Sequence, residues 1–185
     1  MIFTSVFSFP QGFAIILLKK ENFDAIIDKK RQKSERDRNF MKKIEIYTDG
    51  ACRGNPGPGG WGAILVYQNR EKVMSGGEKN TTNNRMELLG AISAFEALKE
   101  PCEVTFCSDS KYVIDGLSKG WAASWKKKGW KKSDGKAALN PELWDRLLHA
   151  IEGHSINYVW VKGHVGHEYN ERCDALATAE ADKLK

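Results

Sequence analysis

The order in which the hydrophobic period changes along the chain restricts its fold more than any other feature. Residues 43–48 alternate apolar and polar side chains with the period of two that a strand requires. Residues 60–68 and 72–78 repeat the pattern across a short turn at Asn69-Arg70, so the three segments predict an antiparallel meander. The period then lengthens. Residues 84–99 place Leu88, Ile92 and Phe95 at i, i+4 and i+7, which is one apolar face of a helix. A short buried strand at 103–108 follows, then helices over 110–116, 121–128 and 141–151, a strand at 156–161 and a closing helix over 168–185. Three strands followed by alternating helices and strands predict an α/β domain, a mixed sheet covered by helices.

With 185 residues and 41% hydrophobic side chains, the chain has enough apolar material for one buried core. Residues 1–40 differ in character, apolar over 2–18 and densely charged over 28–38. The apolar stretch lacks the basic start and small-residue cleavage site of a signal peptide. Thr4, Ser5, Ser8, Pro10, Gln11 and Gly12 interrupt it as a membrane span. Met41 immediately precedes the first strand, so residues 1–40 read as an N-terminal extension, dispensable or disordered, and function belongs to residues 41–185. Cys52, Cys102, Cys107 and Cys173 form no CxxC pair and no dense disulfide pattern, which is the usage of a reducing, cytoplasmic compartment.

Charge is concentrated. Residues 119–136 carry seven lysines against Asp134 alone, a local +6 in a chain whose net charge is +5. On charge alone a solvated lysine-rich loop explains this segment, but Trp121, Trp125 and Trp130 are interleaved with the lysines. Basic and aromatic side chains in alternation suit a nucleic acid, the cations for phosphates and the rings for bases.

Four acids stand out as candidate metal ligands, because magnesium takes oxygen donors that must converge from separate elements. Asp49 ends the first strand, Glu87 lies on the first turn of the first long helix, Asp109 falls where the fourth strand meets a helix, and Asp174 lies on the last helix. Each has an ordinary explanation taken alone. Asp49-Gly50 is a common turn pair, Glu87 three residues after Asn84 completes a capping box, Asp109 before Ser110 suits a helix N-cap, and Asp174 suits an exposed helix face.

The residues around the acids resemble the type 1 ribonuclease H family, close to the bacterial ribonuclease HI pattern. The resemblance runs through YTDGACRGNPGPGGWGAI, TTNNRMEL, SDSKYV, WKKKGWK and KGHVGHEYNERCDALA, in that family's order, over essentially all of residues 41–185. It implies a ribonuclease H-like fold: a five-stranded mixed sheet, three strands antiparallel and two parallel, with helices on both faces. It implies an endoribonuclease that cuts the RNA strand of RNA/DNA hybrids by a two-metal mechanism, leaving 5′-phosphate and 3′-hydroxyl ends. Asp49, Glu87, Asp109 and Asp174 are then ligands to Mg2+, with Mn2+ a substitute, and His164 between Gly163 and Gly166 is a mobile histidine aiding proton transfer or product departure. The substrate is the one expected partner, and a monomer with no membrane attachment is expected.

By the same resemblance Cys52, Gly54, Asn55, Asn83 and Asn84 are minor-groove contacts, Gly54 and Asn55 within a glycine-rich loop over 50–62, and Thr82 belongs to a phosphate pocket for the DNA strand. Trp121, Trp125, Lys126, Lys127, Lys128, Trp130, Lys131 and Lys132 form a basic protrusion that grips the hybrid. Two departures stand out. One extra residue lies between Asp109 and Trp121, and Lys111 stands where glutamine is common. A non-catalytic hybrid-binding module is the main alternative, and it would have lost one or more acids. An integrase or transposase would lack the asparagines and carry added DNA-binding domains. A zinc site from His164, His167 and Cys173 lacks a fourth ligand.

Overall fold

The computed structural model describes residues 25–29, 41–162 and 166–185. It divides into two compact units, Met1–Asn39 and Phe40–Lys185. In the first, a single helical turn, α1 (25–29), is described, with all five side chains exposed. Residues 2–18 and the rest of the charged run lie outside the described residues. Among those described, no helix is long and apolar enough to cross a membrane.

The second unit is built on β1 (Lys42–Cys52), β2 (Gly57–Tyr67), β3 (Arg70–Thr81), β4 (Cys102–Ser108) and β5 (Ser155–Trp160). Their order across the sheet is β3-β2-β1-β4-β5. The first three pair antiparallel, while β4 joins β1 and β5 joins β4 in parallel, the mixed sheet that the change of period predicts with the division of strands that the resemblance implies. Five helices follow the meander: α2 (Asn83–Glu96), α3 (Lys111–Ser118), α4 (Trp121–Lys127), α5 (Pro141–Ala150) and α6 (Glu168–Asp182).

Alternation along the strands divides the core between two faces. Ile44, Ile46, Val104 and Phe106 pack with Leu88, Ile92 and Phe95 of α2, Val113 and Leu117 of α3, and Trp144 and Leu147 of α5. Tyr47, Ile64 and Cys107 point the other way and meet Cys173 of α6. Helices therefore cover both faces. Trp144 is fully buried, and its indole Nε1 donates to Tyr112 Oη at 2.8 Å, tying α5 to α3.

Two expectations need correction. The glycine-rich stretch 50–62 is not one loop: β1 continues to Cys52, residues 53–56 turn, and β2 begins at Gly57. Asp49 consequently lies inside the strand, paired with Gly62, and not at its end. The reason is the close seat of α6. A Cβ on Gly60 would run into the Ala177 carbonyl and one on Gly62 into the Cys173 carbonyl, so these strand positions must lack side chains. Helix α2 also stops at Glu96, short of residue 99, because Pro101 follows and the residue before proline disfavours helical backbone.

Candidate active site

Asp49 from β1, Glu87 from α2 and Asp109 from the bend after β4 each bring a carboxylate oxygen within 4.8 Å of the others. Gly50 makes this approach feasible: a Cβ there would sit 2.5 Å from the Glu87 amide nitrogen, so only glycine lets α2 lie this close to β1. None of the ordinary explanations for the three acids is realised. Asp49 is in a strand and not a turn. The N-cap of α2 is Thr82, which places Glu87 beyond the capping-box position. Ser110, not Asp109, caps α3, its hydroxyl accepting from the Val113 amide.

Burial sets the electrostatics. Asp49 and Glu87 are only 5% and 6% exposed. Among the described residues no lysine or arginine forms an ion pair with any of the three acids. Burial pushes the Asp49 carboxyl up to about 7, the charges of Asp109 and Asp174 add to this, and the Gly50 N–H donated to Oδ1 at 2.7 Å opposes it. Glu87 is raised well above the usual carboxylate range, first by burial and then by Asp49 and Asp109, with the Asn83 amide opposing. Crowded, buried carboxylates of one sign are unstable together unless protons or a cation neutralise them. Glu87 Oε2 and Asp109 Oδ1 are buried with no hydrogen-bond partner. An all-oxygen donor set with two orphaned acceptors fits a hard divalent cation.

Asp174 lies on α6, half-buried and outside this group of three, although its charge acts on Asp49. His164 lies outside the described residues. Cys173 buries its thiol, which donates to the Tyr47 carbonyl, and His167 lies against the Tyr47 ring.

The predicted minor-groove residues border the acids. The Asn55 side-chain oxygen accepts from the Asn83 amide at 3.3 Å, and the Asn83 side chain donates to Glu87 Oε1 at 3.3 Å. A chain of contacts thus runs from the turn to the second acid. Gly54 occupies a left-handed conformation at φ 97°, Cys52 points its thiol at the Gly57 and Thr81 carbonyls, Thr82 stands at the start of α2 and Asn84 is half-buried. This network eluded sequence reasoning, although an Asn four residues before a helical acid is a usable signal.

In the basic segment, Trp121 is 44% exposed beneath the Lys119 ammonium, and Lys127, Lys128 and Lys131 are exposed. Trp121, Trp125, Lys128 and Lys132 line an open groove of about 410 Å³. Trp125 also packs edge-on to Trp144, Trp130 rests against the same core, and Lys126 is paired with Asp145 at 2.7 Å. Part of the aromatic signal is therefore structural. One further neighbour of the site went unnoticed in the sequence: the Trp160 indole donates to the Asp109 carbonyl at 3.0 Å, and Lys111, the residue that stands where glutamine is common, lies 4.6 Å over its ring.

A sheet of this order, with acids meeting from β1, α2 and the end of β4, defines the ribonuclease H class of folds. The RNase H family model matches residues 41–182, and the chain belongs to that family. The ribonuclease H of Alcanivorax borkumensis is 57% identical over 145 residues, 78% of this chain and 95% of that protein. That of Agrobacterium fabrum is 59% identical over 145 residues, 78% and 99% of the two chains. Among solved structures, LC9-RNase H1, a type 1 RNase H with the type 2 active-site motif, aligns with TM-score 0.70 at 33% identity, covering 78% of this chain and 74% of that one. LC11-RNase H1 in complex with an RNA/DNA hybrid aligns with TM-score 0.58 at 27% identity, covering 76% and 97%.

Proposed function

We propose that the protein is an endoribonuclease that hydrolyses the RNA strand of RNA/DNA hybrids at a two-metal centre. The observation that carries this reading is the meeting of Asp49, Glu87 and Asp109, with orphaned buried oxygens on the last two, in a chain of the RNase H family. The hybrid bound by LC11-RNase H1 supports the substrate class. Mg2+ is the ion assigned, with Mn2+ able to replace it, and Asp174 is the fourth ligand.

Asp49, Glu87, Asp109 and Asp174 would hold the ions, which when bound would supply an activated water and offset the negative charge that builds up at the phosphate. The water oxygen bonds to phosphorus and the bond from phosphorus to the 3′ oxygen breaks. A proton passes to that oxygen, giving 5′-phosphate and 3′-hydroxyl ends. The chain's own part is placement. Asp49 and Glu87 are held on a strand and a helix, and Asn83 occupies Glu87 Oε1 so that Oε2 stays free. His164 assists proton transfer or product departure.

Choice of RNA rests on the 2′-hydroxyl, which donates and accepts. Cys52, Gly54, Asn55, Asn83 and Asn84 read it, while Thr82 holds a phosphate of the DNA strand. Trp121, Trp125, Trp130 and the five lysines between Lys126 and Lys132 grip the hybrid away from the cut. Residues 41–185 form the catalytic unit, working as a monomer in the cytoplasm without a stable protein partner, and residues 1–40 are dispensable. The test is to incubate labelled RNA/DNA hybrid, duplex RNA, duplex DNA and single-stranded RNA with Mg2+ or a chelator. Cleavage confined to the RNA of the hybrid, and abolished by the chelator, is expected. Equal cleavage of duplex DNA, or cleavage in chelator, overturns the reading.

A further inference from the structure

Asp109 differs from the other two acids in how its backbone is held. Asp49 sits in the β1 ladder and Glu87 in the hydrogen-bonded body of α2, but Asp109 occupies the bend between β4 and α3. Its neighbours are fixed: the Ser110 amide donates to Ser108 Oγ at 3.2 Å and the Val161 amide to the Ser108 carbonyl at 3.1 Å. Among the described residues no backbone N–H reaches the Asp109 carbonyl. The group that does is the Trp160 indole Nε1, at 3.0 Å. Trp160 ends β5 beside β4 and leaves 44% of its surface exposed, so burying a ring does not account for it there. Lys111, on the first turn of α3, places its ammonium 4.6 Å over the Trp160 ring.

We propose that Trp160 is the positioning residue for Asp109: its N–H fixes the peptide of the one acid that no strand or helix holds, and so sets the affinity of the site for its metal. The inference rests on Asp109 being a metal ligand. Cation sites demand ligand positions held to a few tenths of an ångström, and partners that orient ligands influence affinity strongly when removed.

The test is Mn2+ titrated into the metal-free full-length protein, with free ion read by electron paramagnetic resonance, for the parent, Trp160→Phe and Asp109→Asn. Phenylalanine keeps a ring under Lys111 and removes the N–H. Trp160→Phe is expected to bind Mn2+ roughly 10-fold more weakly. In turnover, its deficit in kcat should be relieved by raising metal, with KM for the hybrid changed less than about twofold. If the phenylalanine variant is poorly folded, benzothienylalanine at the same position keeps the indole outline without the N–H and answers the same question. Parent-like Mn2+ affinity in a folded Trp160 variant, alongside loss of binding in Asp109→Asn, overturns the brace alone. Parent-like affinity in Asp109→Asn overturns the metal-ligand reading beneath it. A rise in KM with unchanged metal affinity would make Trp160 a substrate contact and overturn the proposal.

Discussion

Replacing Asp49 with asparagine should make the metal-free protein more stable, and the gain should depend on pH. The Asp49 carboxyl is raised from 3.8 to about 7, chiefly by burial and by Asp109. A group whose folded pKa is raised holds its proton more tightly when folded. Below 3.8 both states are protonated and the group is neutral in its effect. As pH rises from 3.8 to about 7 the folded state loses stability progressively, and above about 7 the full cost is present. At about 1.4 kcal/mol per pH unit, that interval amounts to about 4 kcal/mol at pH 8. Asparagine keeps the outline and the oxygen that accepts the Gly50 N–H, and it carries no charge. The variant should therefore melt on the order of 10 °C higher than the parent at pH 8 in chelator, with little difference near pH 4. Adding Mg2+ should raise the Tm of the parent and leave the variant nearly unmoved, since ligand binding stabilises only a competent site. Melting curves by circular dichroism at both pH values decide it. An increment of equal size at pH 4 and pH 8, or a variant less stable at both, would refute an uncompensated, desolvated carboxylate at this position.

Asp109→Asn should keep the fold and lose Mg2+-dependent cleavage, checked by gel assay of a labelled hybrid beside circular dichroism; parent-rate turnover would count against its role. His164→Ala should slow turnover while leaving metal dependence intact, read from kcat against Mg2+ concentration. A chain starting at Met41 should cleave hybrid at nearly the full-length rate, and a folded but inactive truncation would refute the dispensability of residues 1–40. Replacing Lys126, Lys127, Lys128, Lys131 and Lys132 with alanine should raise KM and reduce the slope of log affinity against log salt by roughly 0.7 to 0.9 for each phosphate the variant no longer neutralises. A fall in kcat with KM and the salt slope unchanged would show that the segment is not an electrostatic grip.

The period of two in β1, β2 and β3 and the apolar face of α2 were readable because each reports one side of a sheet or helix against one core. Where the reading failed, the cause was a tertiary contact without a local signature. Glycine weakens strands and favours turns, so the glycines of residues 50–62 argued for a loop even where, at Gly60 and Gly62, the alternation of residues 60–68 argued for a strand. For Gly60 and Gly62 the reason lies more than a hundred residues away: the backbone of α6 packs where side chains would stand, as its Ala177 and Cys173 carbonyls show, whereas a Cβ on Gly57 would meet the Arg53 carbonyl and one on Gly59 the Thr81 side chain. The same limit applies to the basic segment. Trp125 next to three lysines reads as a ligand-facing ring, and it does line the open groove, but it also packs edge-on to Trp144, and Lys126 is also paired with Asp145. Composition tells that a segment is aromatic and basic, but not which rings already belong to the core.

The acids were legible for a different reason, and it bears on how the site works. A carboxylate kept buried, at a position where a strand, a helix and a bend converge, opposes stability unless something binds it. Long motifs around each acid therefore carry more information than the acids themselves. Gly50 makes room for α2, Asn83 holds one oxygen of Glu87, and Ser110 relieves Asp109 of capping α3. These neighbours explain why the three carboxylates cannot relax into turns or caps, as each would in isolation. What no motif conveys is the tie across the sheet from Trp160 to Asp109, because it joins residues 51 apart through a side-chain N–H and a backbone carbonyl. A backbone acceptor leaves no mark on residue type at its own position, so such a contact becomes visible only once β4 and β5 lie side by side.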